Sequence, residues 1–421
     1  MTDHRVCRSG RSLEKSIVET KNEQVSWLTG NHVRCVVHPG VATSKPGRVA
    51  RTARLRLPIV LAASLLVICS ICSLADQAAV RATLGLPPVP IAGDNAQTRE
   101  KVALGRALFN DQRLSADGKV SCSTCHQPDR TFTDGRTVAQ GVQQRAGTRN
   151  TPTLINSAYL TSLFWDGRRK SLEEQAADPL VNPVEHALKD HDELLATITA
   201  DAAHTAGFRA AFGVAPEEIR IEHVVKALAA FERTLVAGDS PFDRYRYGGD
   251  ATALSATQIR GLGLFEGRAR CTACHTIGAE NALLTDQEFH TIGIGQERVK
   301  SRLADRTTRL VRLSPSERDQ SIASDPEVAD LGRFAFTLKP WDIGRFRTPS
   351  LRNVALTAPY MHDGSVPTLG EAVEREVYYR GLEASRPLVL TPQEKGDLVA
   401  FLEALTSREL PSFVPERPPV P

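Results

Sequence analysis

A mostly α-helical chain, organised as two loosely repeated halves, is predicted by three features of its sequence. Two apolar-periodic stretches, residues 100–109 and 255–265, carry the related strings LGRALF and RGLGLF. Each leads into the same motif, C-x-x-C-H: Cys122, Cys125 and His126 in the first half, Cys271, Cys274 and His275 in the second. Alternating apolar and polar runs, the mark of half-buried strands, are weak throughout.

In chain order, residues 1–56 are a polar extension with scattered basic residues. Residues 57–75 read as a secretory signal peptide. An apolar run (LPIVLAASLLVICSICSL) follows Arg48, Arg51, Arg54 and Arg56, and Ser73 and Ala75 supply the small residues before a cleavage point. The polar stretch ahead of this signal is unusual, and we expect translation to start at Val49, read from an alternative start codon. Peptides from residues 1–48 in the precursor would exclude that start. A membrane attachment is expected only if the signal is left uncleaved.

The signal changes how charge and cysteine are read. Of the 52 Lys and Arg and the 49 Asp and Glu, eleven and four lie in residues 1–75. The remainder therefore holds 41 basic and 45 acidic side chains and is mildly acidic. No case for nucleic-acid binding remains. Of the 8 cysteines, Cys7, Cys35, Cys69 and Cys72 precede the cleavage point. Every other cysteine belongs to a C-x-x-C-H, so no disulfide framework is left.

C-x-x-C-H is the attachment sequence of c-type haem. Cysteines three apart share one side of a helical turn, so both sulfurs reach the two vinyl groups, and the next residue, His, sits under the iron. A structural zinc site would need further Cys or His at short spacing, and none follows. A redox C-x-x-C has no use for the trailing His. Two covalent haems are expected, in domains spanning 96–249 and 250–410, divided near Gly248, Gly249 and Asp250. Ser255 and Gln258 predict a capping box at the second leading helix. Helices are also expected over 221–234 and 392–406, the latter with Leu398, Phe401, Leu402 and Leu405 on one face. A Pro-rich tail, 411–421, closes the chain.

At this point the sequence resembles a known family, the bacterial dihaem cytochrome c peroxidases and their MauG-type relatives. The resemblance covers residues 98–408 and rests on LGRALFNDQRLSADGKVSCSTCH, TPTLINSAYLTSLFWDGR and FRTPSLRNVALTAPYMHDGS in that order. It implies two cytochrome c-like haem domains packed about a shared interface. It places Trp165 between the haems, and Gln175 and Glu185 over the open face of the first. The chemistry suits those types: breaking an O–O bond needs a base that takes a proton from one peroxide oxygen and returns it to the other. A neutral amide holds the peroxide without competing for the metal. Read without the family, Glu185 beside His186 is equally a structural ion pair, and His186 and His191 are left to surface or structural roles. The family also implies a calcium ion between the haems, held by the Asn156 side chain and the carbonyls of Thr357 and Pro359. Asn156 read alone is equally a loop-capping residue.

Distal ligands divide this family. Ordinary members close the first haem with a His in the loop after C-x-x-C-H. Residues 127–153 here contain no His, which implies a first haem open at rest, as in MauG. The second haem takes Met in ordinary members and Tyr in MauG. Met1 and Met361 are the only methionines, and Met361 stands where the family varies an apolar residue. The family register lands on Glu376; Tyr378 and Tyr379 follow, and Tyr379, one turn on, is expected to face the same way. His290 is a further option.

The implied activity is that of a periplasmic dihaem oxidoreductase. Hydrogen peroxide reacts at the N-terminal, peroxidatic haem to form high-valent iron, with electrons drawn through the C-terminal haem. A MauG-like enzyme would oxidise a partner protein side chain, typically Trp. The alternatives are an ordinary peroxidase served by a small c-type cytochrome or cupredoxin, and a non-catalytic electron carrier.

Overall fold

The computed structural model describes residues 83–383 and 387–411. The expected extension, signal peptide and residues 412–421 of the tail lie outside them. The described helices are α1 (Arg99–Asn110), α2 (Cys122–Cys125), α3 (Leu172–Val181), α4 (His191–Thr199), α5 (Ala202–Phe212), α6 (Ile221–Glu232), α7 (Pro241–Arg246), α8 (Ala256–Glu266), α9 (Gln296–Val299), α10 (Leu303–Leu310), α11 (Pro315–Ser324), α12 (Pro326–Ala329), α13 (Phe334–Thr337), α14 (Leu369–Glu383) and α15 (Pro392–Glu403). Two short strands, β1 (Phe289–His290) and β2 (Phe346–Arg347), pair antiparallel, Phe289 opposite Arg347. The mostly α expectation is met. No helix among the described residues is long and apolar enough to cross a membrane.

The repeat seen in sequence is a repeat of packing. Helix α1 lies against α6, and α8 against α15. Gly105 on α1 and Gly261 on α8 make each crossing close. A Cβ on Gly105 would stand 1.9 Å from the Ala227 carbonyl oxygen, and one on Gly261 2.0 Å from that of Asp397. One turn after each glycine an aromatic pair locks the crossing. Phe109 meets Phe231 with centroids 5.1 Å apart at 58°, and Phe265 meets Phe401 at the same 5.1 Å and 58°. These pairs anchor two apolar clusters. The first includes Leu104, Leu108, Leu194, Phe208, Val224 and Leu228; the second includes Phe242, Leu262, Leu284, Leu398 and Leu405.

Caps set the helix boundaries. Ser255 Oγ accepts from the Gln258 N–H at 3.3 Å, and Gln258 Oε1 accepts from the Ser255 N–H at 2.9 Å, the expected capping box. Thr391 and Glu394 do the same for α15. Helices α6 and α15 stop two and three residues earlier than the apolar pattern runs, at Glu232 and Glu403, because Thr234 Oγ1 donates back to the Phe231 carbonyl and the Ala404 N–H closes the last turn of α15.

Beside Phe242 and Ala282 of the second cluster, Arg352 is 1 % and Asp243 0 % exposed at the side chain, with Nη1 to Oδ2 at 2.8 Å. Arg352 also donates to the Ala282 and Gly85 carbonyls, each at 2.6 Å. The buried charge thus has bonds on every nitrogen, the condition under which a buried pair is tolerated.

Candidate haem sites and the residues between them

Each C-x-x-C-H forms a tight turn, and each turn opens on its own apolar cavity. Cys122–Cys125 is the single-turn α2, and Cys271–Ala273 is a 3₁₀ turn. Cys122, Cys125 and His126 line a cavity of about 200 Å³. Cys271, Cys274 and His275 line another of about 270 Å³.

His126 Nδ1 lies 3.1 Å from the Phe132 carbonyl oxygen, and His275 Nδ1 2.9 Å from that of Leu284. A carbonyl only accepts, so Nδ1 carries the proton in both and Nε2 keeps its lone pair. Burial holds His126 below the ordinary histidine range and takes His275 to about 4, so both rings are neutral at neutral pH. All four cysteines are free of disulfides. Burial pushes Cys125 and Cys271 up to about 12 and raises Cys122 and Cys274 as well. Both cavities therefore fit haem c: two sulfurs and one neutral imidazole on a single turn, facing an apolar space.

Trp165 lines both cavities, as do Thr151, Pro152 and Arg347. Its Nε1–H donates to the Asn150 carbonyl at 3.0 Å, and its own carbonyl accepts from the Arg347 N–H at 2.8 Å. Next to it Asp166 is fully buried, 2.7 Å from Arg149 and 3.0 Å from Arg168. Burial alone would raise the Asp166 carboxyl, but the two guanidiniums outweigh it and bring it to about 2. Trp165 is thus fixed by one bond from its indole, one to its main chain and a buried ion cluster at the next residue.

Gln175, on α3, and Glu185, in the turn after it, line the N-terminal cavity together. Pro179 and Asn182 shape this turn: the Asn182 N–H closes the last turn of α3 on Pro179, and Asn182 Oδ1 accepts from the Val184 N–H at 2.9 Å. Asn182 Nδ2 then donates to Glu185 Oε1 at 2.6 Å. Burial raises the Glu185 carboxyl to about 7, against the opposing charge of Arg168 and with help from Asp178. His186 is buried with Nδ1 bonded to the Leu114 carbonyl at 2.7 Å, a structural role. His191 bonds the Ala177 carbonyl at 3.2 Å.

Sequence reasoning missed Asn182, Arg168 and Glu232. Arg168 closes the FWDGR string, lines the N-terminal cavity and lies over the Phe164 ring, 3.4 Å from its centroid. Glu232 lines the same cavity with Oε2 unpartnered. Its only sequence signal is an acid on α6, where positions 227–232 are all buried. Burial raises Glu232 to about 8 from an ordinary 4.5, Arg233 opposing and Glu173 adding. Below pH 4.5 this group is protonated folded or unfolded and carries no penalty. Between 4.5 and 8 only the unfolded chain ionises, so stability is lost as pH rises. We expect Glu232→Gln to escape that loss: its melting temperature relative to wild type climbs from pH 5 to pH 8 in thermal unfolding of the haem-loaded protein. A constant difference would show that Glu232 ionises normally.

Two expectations change. Tyr378 and Tyr379 do not reach the cavity that His275 lines. Leu369, Ala372, Val373, Glu376, Val377 and Arg380 form the inward stripe of α14. At 100° per residue, position 378 points away from that stripe and 379 falls beyond its edge. Tyr378 is 59 % exposed, and the Tyr379 hydroxyl abuts Gly293. Residues of ligand type on the cavity wall are instead Glu376, Met361, His290, His362 and Tyr360. His290 bonds Asp286 at 2.7 Å and His362 bonds Asp330 at 3.0 Å through Nε2, so both rings are engaged.

Asn156, Thr357 and Pro359 line one wall of the C-terminal cavity. The Asn156 amide, however, is bound on both sides to Ala237, donating to its carbonyl at 2.8 Å and accepting from its N–H at 3.0 Å. This is the loop-bracing role. It leaves one Oδ1 lone pair for an ion, and none of the three residues carries a negative charge, so the fit to calcium is poor.

Comparison with known proteins agrees with this geometry. The family model for di-haem cytochrome c peroxidase matches residues 99–252. The chain is 38% identical over 339 residues to cytochrome-c peroxidase IdrP1 of Pseudomonas sp. (strain SCT), covering 77% of this chain and 85% of that protein. It is 36% identical over 353 residues to methylamine utilization protein MauG of Methylorubrum extorquens, covering 82% and 89%. The crystal structure of a MauG-like protein associated with microbial copper homeostasis superposes with a TM-score of 0.62 at 33% identity, covering 77% of this chain and 94% of that one. Twin cavities that each present a C-x-x-C-H turn, a tryptophan shared by their walls and these relatives make one argument: the chain belongs to the di-haem cytochrome c peroxidase family and is an oxidoreductase of the haem c type.

Proposed function

We propose that this protein is a periplasmic enzyme that reacts with hydrogen peroxide at the N-terminal cavity and draws electrons from the C-terminal one. The observation that carries the reading is the trio Trp165, Gln175 and Glu185: two line the N-terminal cavity and the third lines both. An amide and a carboxyl side by side on the wall of one haem cavity support an enzyme over a pure electron carrier.

Haem c would be held by Cys122, Cys125 and His126 and would supply the redox chemistry that breaks the O–O bond. The protein handles protons and orientation. Glu185 accepts the proton of the nearer peroxide oxygen and returns it to the departing oxygen, which leaves as water. Asn182 holds the carboxyl through Oε1 and leaves Oε2 for the proton. Gln175 orients the peroxide through its amide. Trp165 offers the electron path from the second haem site, Cys271, Cys274 and His275, because it lines both cavities.

We further propose the MauG-like branch, in which the oxidising equivalents pass to a partner protein side chain. The His-free segment 127–153 supports it. A tyrosine ligand from Tyr378 or Tyr379 no longer does, and Glu376 is the anionic side chain on the C-terminal wall. Met361 on that wall, packed with Ile292, Ile294 and Val366, favours the second reading, a peroxidase served by a small c-type cytochrome or cupredoxin. A calcium ion at Asn156, Thr357 and Pro359 belongs to the proposal on family grounds alone.

Trp165→Phe tests the shared wall. Peroxide-driven oxidation of a reduced small cytochrome c, or of an exposed tryptophan on a partner protein, should fall at least tenfold. Wild-type rates in this variant would reject the route through Trp165. Oxidation of the cytochrome alone would select the second reading.

A further inference from the structure

The N-terminal cavity is not walled by the first half of the chain alone. Ile322 and Ala323, from helix α11, also line it. They come from a long excursion between β1 and β2, the helices α9 to α13, which has its own small core of Val299, Leu310, Val328, Leu331 and Phe334, with Ile322 in it. The β1–β2 pairing ties the two ends of the excursion together.

The excursion is fastened to the peroxide side of the cavity. Thr148 Oγ1 donates to the Ile322 carbonyl at 2.6 Å, a fully buried bond. Asp319, one turn before Ile322 on the same face of α11, accepts from Arg169 at 3.1 Å and lies 3.7 Å from Arg168. Both arginines also meet Asp178 of α3, the helix that carries Gln175. Arg168 lines the cavity and acts on Glu185 by its charge. Arg149 and Arg333 complete the fastening, donating to the Ala329 and Asp166 carbonyls, each at 3.1 Å. Ile322 is 2 % exposed, and a β-branched side chain is stiff at χ1. The wall it makes does not swing aside with a rotamer change.

We propose that Ile322 and Ala323 are the size-determining residues of the N-terminal site, limiting the oxidant to hydrogen peroxide and excluding alkyl and aryl hydroperoxides. This cavity has to hold haem c and the oxidant together, so its walls bound the size of the oxidant. Ile322 is held on the helix whose Asp319 meets Arg168, and it shares the cavity wall with Arg168 and Glu185, so a bulky substituent on the oxidant would meet it. The inference deepens the peroxide reading and rests on it.

The test uses the haem-loaded protein and two ratios. One is the rate with hydrogen peroxide over that with cumene hydroperoxide. The other is the affinity for cyanide over that for 4-phenylimidazole, read from the Soret band in whichever redox state binds cyanide. Ile322→Ala should lower both ratios at least tenfold, the scale on which apolar pockets discriminate by a few methylenes. Ala323→Leu narrows the same wall and should raise the cyanide ratio, which keeps the test available if the first variant folds poorly. Ratios unchanged in both variants, or a wild type that takes cumene hydroperoxide as readily as hydrogen peroxide, would overturn the assignment. If wild type ignores hydrogen peroxide, the peroxide reading fails, while the cyanide ratio still decides whether these residues set the size of the site.

Discussion

Glu185→Gln should slow the reaction with hydrogen peroxide by about 10²–10⁴-fold, the usual contribution of a positioned acid–base group, while both haems stay attached. The substitution is nearly isosteric. Asn182 Nδ2 can still donate to the side-chain oxygen that replaces Oε1, a 2.6 Å bond in the wild type, so the turn after α3 keeps its shape. What is lost is the capacity to take a proton. The pH profile separates this from a packing effect. Burial sets the Glu185 carboxyl near 7, so below that pH it is protonated and cannot act as the initial base. The wild-type rate should climb as pH rises through about 7 and level off above it. The Gln variant should be flat across the same range. Stopped-flow mixing of ferric protein with peroxide from pH 5.5 to 8.5 gives both curves. A Gln variant that reacts at the wild-type rate, or that keeps the same inflection, removes Glu185 from the mechanism.

The parts of this site that could be read from sequence are those whose chemistry requires neighbours in the chain. Covalent haem needs its two sulfurs and its imidazole on one turn, so Cys122 to His126 and Cys271 to His275 declare themselves. The two leading helices were legible through their repeated strings, but the crossings they make, Gly105 with Phe109 and Gly261 with Phe265, depend on partners far along the chain. Trp165, Gln175 and Glu185 have no such local logic and came only through resemblance. Tyr379 was placed by one turn of helix, which does not by itself specify a face. The stripe of α14 that meets the cavity is centred on Leu369, Glu376 and Arg380, and Tyr379 lies just past its Ala372 edge. Asn156 looked equally like a loop brace and an ion ligand, and its two bonds to Ala237 show the brace. Ile322 was beyond reach altogether. Its helix, PSERDQSIAS, is strongly polar. Only the long-range fastening to Thr148, Arg168 and Arg169 brings it to a cavity built by the other half of the chain.

The fully oxidised protein should react with hydrogen peroxide without any prior one-electron reduction. An ordinary member of the family keeps a histidine on the open side of the first haem until the second haem is reduced. Here residues 127–153 hold no histidine. Of the histidines on the N-terminal cavity wall among the described residues, His126 belongs to the C-x-x-C-H turn and His186 is anchored through Nδ1 to the Leu114 carbonyl. His186 precedes Ala187, whose backbone has a positive φ of 56°, and the Ala187 N–H returns to the Asn182 carbonyl at 2.9 Å. Moving His186 toward the iron would break both the Leu114 bond and the turn that presents Glu185. The expected result is a high-spin component in the ferric spectrum and a Soret change within milliseconds of mixing ferric protein with peroxide, no reductant present. His186→Gln should leave that high-spin component in place. If spectra change only after reductive activation, the open-site inference fails. If His186→Gln then abolishes the need for reduction, His186 is the ligand that closes the site, and the enzyme works as an ordinary peroxidase with its gate moved from the loop after the first haem motif to the turn that carries the catalytic acid.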